Sequence, residues 1–338
     1  MELVVQNTQN IGPTKAFVLK EVALSSNPDV SVILLVYNTS KYLRKALDCL
    51  LSQTLQNIEI ICVEDCSTDN SLDILKEYAQ KSSKIAIVQN EKNLGAAVGR
   101  NAGLTYAHGR YLLILDSDDF YDSDMCEKMY QQALKDGSDV VVSGYYFATE
   151  NGTDFKRKKY ESKYLSASPF SPIKFKNRLF SFCSGNAWTK LFRADLVREN
   201  HIFFESLKSC NDYTFSYAML AAASKISLID DPFVHYRVNT GTNVSSYRGD
   251  KATCIIYAVN ALFHHLKRFG KEKLYHKALM KTMISSFRWE LRQCNEQEKV
   301  HFLEELPKIL DEELYQHIKN NILPISVRFK QFFKRVFC

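Results

Sequence analysis

Two short acidic stretches carry the first sign of chemistry: Glu64-Asp65 and Asp116-Ser-Asp-Asp119, each directly after an apolar run, while a third apolar run ends in Tyr37-Asn38. Carboxylates gathered in one crevice repel unless a cation sits among them or some take up protons. Oxygen-only ligands favour Mg or Mn over zinc, and Mg is commonly bound by one or two carboxylates together with substrate phosphates. These residues therefore predict a divalent metal, Mn or Mg, and a phosphorylated substrate. The plain alternative is that Asp-x-Asp forms only a turn, or caps the helix that follows, and Ser117 and Asp122 could cap equally well. No G-x-G-x-x-G follows the first apolar run, no G-x-x-x-x-G-K-[ST] occurs, and Gly95-Ala-Ala-Val-Gly99 is neither. That argues against dinucleotide and P-loop chemistry.

The acidic residues reach one place only if the runs before them are neighbouring strands. From Val30 short apolar runs alternate with helix-period segments, the rhythm of an α/β fold with a parallel sheet and crossover helices. Strands are expected at 31–36, 58–63, 85–88, 111–115 and 139–143. Leu43, Ala46, Leu47, Leu50 and Leu51 mark the first helix by their i, i+3, i+4, i+7, i+8 spacing. Further helices are expected at 71–80, 96–107 and 124–135. In such a sheet ligands bind beyond the carboxyl ends of the strands, where Tyr37, Glu64, Asp65 and Asp116 to Asp119 all fall. After Gly144 the pattern weakens until Phe182, a helix returns at 212–223, and the chain beyond Asp250 reads as mostly helical. The expected division is an N-terminal extension (1–29), an α/β half (30–145), a second half (146–249) and a helical C-terminal region (250–338).

With 338 residues, 46% hydrophobic and 24% charged, and only 12 Gly and 7 Pro, the chain is long enough for roughly two domains at about 150 residues each and excludes disordered and collagen-like classes. No apolar run approaches the roughly 18–20 residues of a spanning helix, and residues 1–29 lack a basic segment followed by an apolar one, so a cytoplasmic protein is expected. Nine cysteines without any C-x-x-C speak against structural zinc and a disulfide framework. The net charge of +6 is uneven: residues 151–200 hold 11 Lys/Arg against 4 Asp/Glu and should face something anionic. Ile325, Phe329, Phe332, Phe333, Val336 and Phe337, interleaved with Arg328, Lys330, Lys334 and Arg335, describe a basic amphipathic helix. It would suit peripheral contact with an anionic membrane, or docking on the protein's own core. Lys156 to Lys159 reads as a solvated loop, or else as part of the same membrane face or a contact for an anionic acceptor. Nucleic acid is not an expected partner, since the aromatic residues form no binding module and the pI is about 8.7.

Four motifs occur in order between Val30 and Ser143: Ser31-Val-Ile-Leu-Leu-Val-Tyr-Asn38, Val63-Glu-Asp-Cys-Ser-Thr-Asp69, Asn93-Leu-Gly95 with Arg100-Asn-Ala-Gly103, and Asp116-Ser-Asp-Asp119. Together they resemble glycosyltransferase family 2. Gly185-Asn-Ala-Trp-Thr-Lys-Leu-Phe192, Ile202-Phe-Phe-Glu205, Asn211-Asp212 and His235-Tyr-Arg237 are similar to the acceptor-side half of bacterial members. The resemblance implies a GT-A fold, a Rossmann-like and mostly parallel sheet flanked by helices, here with a helical C-terminal extension. It implies inverting transfer from a UDP-sugar donor to a hydroxyl of a saccharide acceptor, and a lipid-linked surface glycan would suit the basic tail.

Residue by residue, the resemblance places Val36, Tyr37, Asn38, Asn93, Gly95 and Ser117 around the donor. Tyr37 would pack on uracil and Glu64 would accept its N3–H, with Asp65 as the fallback. Asp116 is expected near the ribose or a metal-bound water, and Asp118 on the metal that steadies the departing diphosphate. Arg100 reaches the donor or pairs with a crevice carboxylate. Asp212 is the expected general base, or else only a helix cap, and Trp188, Lys190 and Asn211 lie on the acceptor side. His235 is either an added metal ligand or structural. The chain departs from the family pattern at Leu35 (often Pro), Glu64 (often Asp), Cys66 (often Gly) and Asn211 (in place of Glu), and a non-Gly residue at Cys66 is costly if φ is positive. These departures leave open a catalytically silent homologue that binds a nucleotide sugar as sensor or assembly subunit. A nucleotidyltransferase is disfavoured, because Tyr37-Asn-Thr-Ser40 supplies neither the glycines nor the charge of a phosphate loop.

Overall fold

Strand β3 (Val30–Val36) is buried at six of its seven positions, which requires cover on both faces. Alternation along it divides the protein into two layers. Val30, Val32, Leu34 and Val36 face a cluster built with α1 (Ser40–Leu51), α2 (Ser71–Lys81) and α4 (Met125–Asp136). Ile33 faces the other cluster, built with α3 (Ala96–Tyr106), α7 (Asn211–Ala222), α8 (Cys254–Arg268) and α9 (Glu272–Gln293). The computed structural model describes residues 2–5, 14–21, 27–158, 160–238 and 251–321. The basic stretch at 325–337 lies outside the described residues.

The remaining strands are β1 (Glu2–Val5), β2 (Thr14–Lys20), β4 (Ile58–Glu64), β5 (Ile85–Asn90), β6 (Tyr111–Asp116), β7 (Phe120–Tyr121), β8 (Val140–Ala148), β9 (Asp154–Lys158), β10 (Lys190–Arg193) and β11 (Ile226–Arg237). They form one sheet in the order β1-β2-β5-β4-β3-β6-β10-β8-β11-β7, with β9 paired to β8. The expected parallel centre is present, with β5, β4, β3 and β6 running side by side. The sequence leaves the placement of residues 1–29 open and gives no sign of an inserted antiparallel strand. Part of 1–29 adds two antiparallel edge strands beside β5. The fifth expected strand does not neighbour β6: β10 is inserted between them, antiparallel to both, with Leu191 opposite Leu113 and Val141. The division expected at 145 falls inside β8, and β10 and β11 extend the same sheet.

Beyond the sheet come the short helices α5 (Ser162–Leu165) and α6 (Ala194–Glu199), and then α10 (Glu296–Ile309) and α11 (Glu312–Asn321) close the described chain after α8 and α9. Among the described residues no helix is long and apolar enough to cross a membrane, and no disulfide joins any of the eight cysteines there.

The seating of α3 matters most for the site. Gly99 and Gly103, four residues apart on one helix face, allow it to lie against the sheet. A Cβ at Gly99 would sit 2.4 Å from Leu35 Cδ1, and one at Gly103 2.4 Å from Ile33 Cγ2. Gly103→Val should therefore push α3 off the sheet and lower the unfolding free energy by about 1–3 kcal/mol, as overpacking does in other cores. A urea midpoint unchanged from wild type would show that α3 is not held by this close approach.

Candidate active site

The guanidinium of Arg100 gathers residues from three distant parts of the chain. Nη2 donates to Asp116 Oδ1 at the end of β6 (2.7 Å), and Nη1 donates to Asn211 Oδ1 (2.7 Å) and to Asp212 Oδ1 at the start of α7. Burial works against the arginine's charge, but Asp212 and Asp116 outweigh it and hold the group more firmly protonated than usual. The ring of Phe204 lies under the guanidinium, 5.4 Å away. The next residue fixes that ring: Asn101 donates to Phe204 O and accepts from Phe204 N, both at 2.9 Å. The pair Arg100-Asn101 thus ties α3 to two segments more than a hundred residues later. Of the two readings open for Arg100, the structure shows the carboxylate pairing.

Burial raises the Asp212 carboxyl above the ordinary aspartate range, and Arg100 pulls it back only in part. The amide of Ala187 reaches its other oxygen at 3.3 Å. A partly buried carboxylate with a raised pKa, facing a cavity, has the properties of a proton acceptor. That cavity has a volume of about 950 Å³ and is bordered by Tyr37, Asn38, Asp65, Asn93, Gly95, Arg100, Asp116, Ser117, Asp118, Trp188, Asn211 and Asp212.

At the end of β6 the carboxylates crowd as expected. Burial, then Asp116, raises Asp118 to about 6, and burial with Asp118 and Asp116 raises Asp119 further. Asp119 Oδ1 accepts the Arg237 amide at 2.8 Å, while its buried Oδ2 has no partner. Asp118 lines the cavity, and a group whose negative charge is raised in energy by like-charged neighbours is where a cation would be most stabilising. Among the described residues, however, no three His, Cys, Asp or Glu side chains converge as a metal site. The donor set fits a divalent ion that borrows phosphate oxygens and water, the usual habit of Mg.

His235 is not part of that set. Its Nδ1 lies 2.8 Å from Asp154 Oδ2, its Nε2 lies 3.0 Å from Asp122 Oδ1, and its ring is stacked between Phe120 and Tyr146. Both ring nitrogens are occupied, so the metal-ligand reading is corrected to a structural one. Two more expectations change. Glu64 does not border the cavity: its longer side chain turns back to accept from the amides of Ser67 (2.5 Å) and Cys66 (3.2 Å) and from Gln89 (3.1 Å). It thereby stabilises Cys66 at φ +58, the strained conformation that the missing glycine foretold. Asp65 takes the cavity position, accepting from Asn90 Nδ2, Leu94 N and Gly95 N at 2.7–2.9 Å, which holds the Asn93–Gly95 loop in place. Lys190 is likewise behind the wall, fully buried, with its ammonium donating to Ser184 O and Asn186 O. Burial lowers its pKa against the opposing pull of Cys183 and Asp212.

Of the other expected donor-side residues, Tyr37, Asn38, Asn93, Gly95 and Ser117 border the cavity and Val36 does not. Tyr37 is 41% exposed on the cavity, Asn38 holds the next loop by accepting from Thr68 N at 2.7 Å, and Ser117 meets Thr39 at 2.8 Å. Val36 is buried behind them, its carbonyl receiving the Asp65 amide at 3.0 Å. Trp188 reaches the cavity but is mostly spent on Tyr236, stacked at 5.1 Å, and on Tyr145. Sequence reasoning missed Ser285, Ser286, Trp289 and Glu290 of α9, which border the same cavity. Polar residues on a helix read as solvated, and only the tertiary fold turns that face inward.

A sequence model of the family described as Glycosyl transferase family 2 matches residues 31–199. The chain belongs to glycosyl transferase family 2. The match covers the strand ends, the Arg100 segment and the Trp188 loop, and the protein is a glycosyltransferase. It is 31% identical over 259 residues to the putative glycosyltransferase EpsH of Bacillus subtilis (strain 168), covering 75% of this chain and 73% of that protein. It is 32% identical over 222 residues to glycosyltransferase GlyG of Streptococcus pneumoniae serotype 4, covering 63% and 72%. A crystal structure of S. aureus TarS 1–349 in complex with UDP-GlcNAc superposes with a TM-score of 0.68 over 85% of this chain and 82% of that one, at 22% identity. The last likeness is one of fold: a mostly parallel central sheet flanked by helices, with a helical C-terminal part.

The pairing of His235 has a consequence for stability. Burial lowers its pKa, but Asp122 and Asp154 more than compensate, so it is raised on folding. The stabilisation is then complete below the unfolded value of about 6.5 and fades as pH rises through the folded value. The gap in urea midpoint between wild type and His235→Gln should accordingly be widest near pH 6 and narrow towards pH 9. A gap that widens with pH would contradict the charged pairing.

Proposed function

We propose that this glycosyltransferase moves a sugar from a UDP-sugar to a hydroxyl of a saccharide or lipid-linked saccharide, with inversion and with a divalent cation, Mn or Mg. The observation that carries the reading is the Arg100 bridge, which sets a donor-side carboxylate, Asp116, and a candidate base, Asp212, on one guanidinium. On the donor side the exposed ring of Tyr37 offers a face for the uracil. Asp65 already accepts three donors, and because a carboxylate has about four acceptor positions, one remains for the N3–H of the base. The UDP-GlcNAc seen with TarS supports a uridine donor for the same fold. Asp118, with Asp116 beside it, would hold the cation. When bound, such a cation offsets the charge of the departing diphosphate, so no protein acid is needed on that side.

On the other side an inverting displacement needs one base to take the acceptor proton as its oxygen attacks the anomeric carbon opposite the diphosphate. Asp212 fills this role: Arg100 and the Ala187 amide fix its orientation, and its raised pKa strengthens it as a base. The reaction is placed in the cytoplasm, with the basic C-terminal stretch and the 151–200 region drawing the enzyme to an anionic membrane face.

The direct test is release of nucleoside diphosphate from a panel of UDP- and GDP-sugars with Mn, Mg or chelator. Selective, metal-dependent release of UDP supports the reading, and release that survives the chelator removes the cation from it. Asp212→Asn should keep the affinity for UDP and lose turnover by about 10²-fold or more, the usual contribution of a positioned base. The acid limb of the wild-type kcat/KM profile should lie above the ~3.9 of a free aspartate. Turnover within a few-fold of wild type in Asp212→Asn would move the base elsewhere.

A further inference from the structure

The family match ends at residue 199, yet a wall of the cavity comes from α9, far beyond it. Ser285, Ser286, Trp289 and Glu290 border the cavity, and their i, i+3 and i+4 spacings put them on one helix face. Another stripe of α9 packs into the core, with Ala278, Leu279, Met283 and Phe287 fully buried. Packing alone does not call for two hydroxyls, an indole and an acid turned towards a cavity.

The two tryptophans make the contrast plain. Trp188 is 8% exposed and Trp289 is 48% exposed, and both border the cavity. Tyr213 connects this wall to the chemistry: it follows Asp212 in sequence, its ring meets Tyr217 at 4.7 Å, and its hydroxyl lies beside Ser286 and Thr282. The cavity's volume of about 950 Å³ is at the upper end of the range for small-molecule sites, which leaves room for a second substrate next to a nucleotide sugar.

We infer that this face of α9 is the subsite for a saccharide ring of the acceptor, with Trp289 as its stacking surface and Ser285 and Ser286 as partners for its hydroxyls. The inference rests on the proposed transfer to a saccharide. The chemistry is specific: the C–H face of a pyranose is apolar and slightly positive, the indole face is negative, and a rigid two-torsion aromatic loses little entropy on contact. Because the subsite is outside the family-matched segment, it is where this chain's choice of acceptor would be made.

The test is saturation-transfer NMR on the full chain with methyl β-glycosides of glucose, galactose and N-acetylglucosamine, in the presence of UDP and Mg, alongside a UDP thermal shift. Wild type should saturate the ring C–H protons of at least one glycoside. Trp289→Ala should reduce that signal at least fivefold with the UDP shift unchanged, and Trp289→Phe should keep most of it. Equal saturation in wild type and Trp289→Ala, or no saturation of any glycoside by wild type, would overturn the inference. A wild type that saturates a glycoside but shows no UDP shift would support the subsite while sinking the uridine-donor reading.

Discussion

A buried positive charge organises this molecule. Arg100 is almost wholly removed from water, and a desolvated guanidinium is tolerable only with good partners: removing one side of such a pair typically costs about 3–5 kcal/mol. The partners come from the end of β6 and the start of α7, while Phe204 supplies a ring beneath. The end of β6 and the Phe204–Asp212 stretch are nearly ninety residues apart in sequence, so satisfying the charge and assembling the site are the same event. Close seating of α3 through Gly99 and Gly103 sets where the charge is, and the insertion of β10 beside β6 brings the second half of the chain within its reach.

The same economy recurs around the cavity. Asp65 is held by three donors and in return fixes the Asn93–Gly95 loop at the edge of the cavity. Glu64 spends its charge on the amides of Cys66 and Ser67, and Lys190 spends its own on the carbonyls of the Ser184–Asn186 turn behind Asp212. Charged side chains that look catalytic in sequence divide here into those that face the cavity and those that hold its walls. Asp118 stands apart, with its pKa raised by burial and by Asp116 rather than satisfied by a cationic partner, which suits a position completed by a cation and donor phosphates.

Much of this was legible beforehand because the strands carrying the site are buried on both faces and read as unbroken apolar runs. β3, β4 and β6 were recognisable for that reason, and so was the cluster of acids at their ends. What escaped the sequence depended on long-range partners. His235 looked like a spare ligand until Asp122 and Asp154 filled both its nitrogens. Glu64 turns away from the cavity and leaves Asp65 facing it, because one methylene allows the longer side chain to fold back onto its own loop. β10 is only four residues long and follows an irregular stretch, so its antiparallel insertion left no periodic signal. The α9 face was invisible because helical periodicity reports which residues are polar and not whether the polar side meets water or a cavity.

The site depends on one guanidinium holding both carboxylates, and Arg100→Lys is the variant that probes this dependence. A lysine keeps the charge but, as a single point of donation, lacks the planar fork that spans two partners. With circular dichroism establishing that the variant is folded, nucleotide affinity should stay within a few-fold of wild type and turnover of the accepted nucleotide sugar should fall by about 10²-fold, the scale on which misplaced catalytic groups act. Wild-type turnover in Arg100→Lys would contradict that dependence.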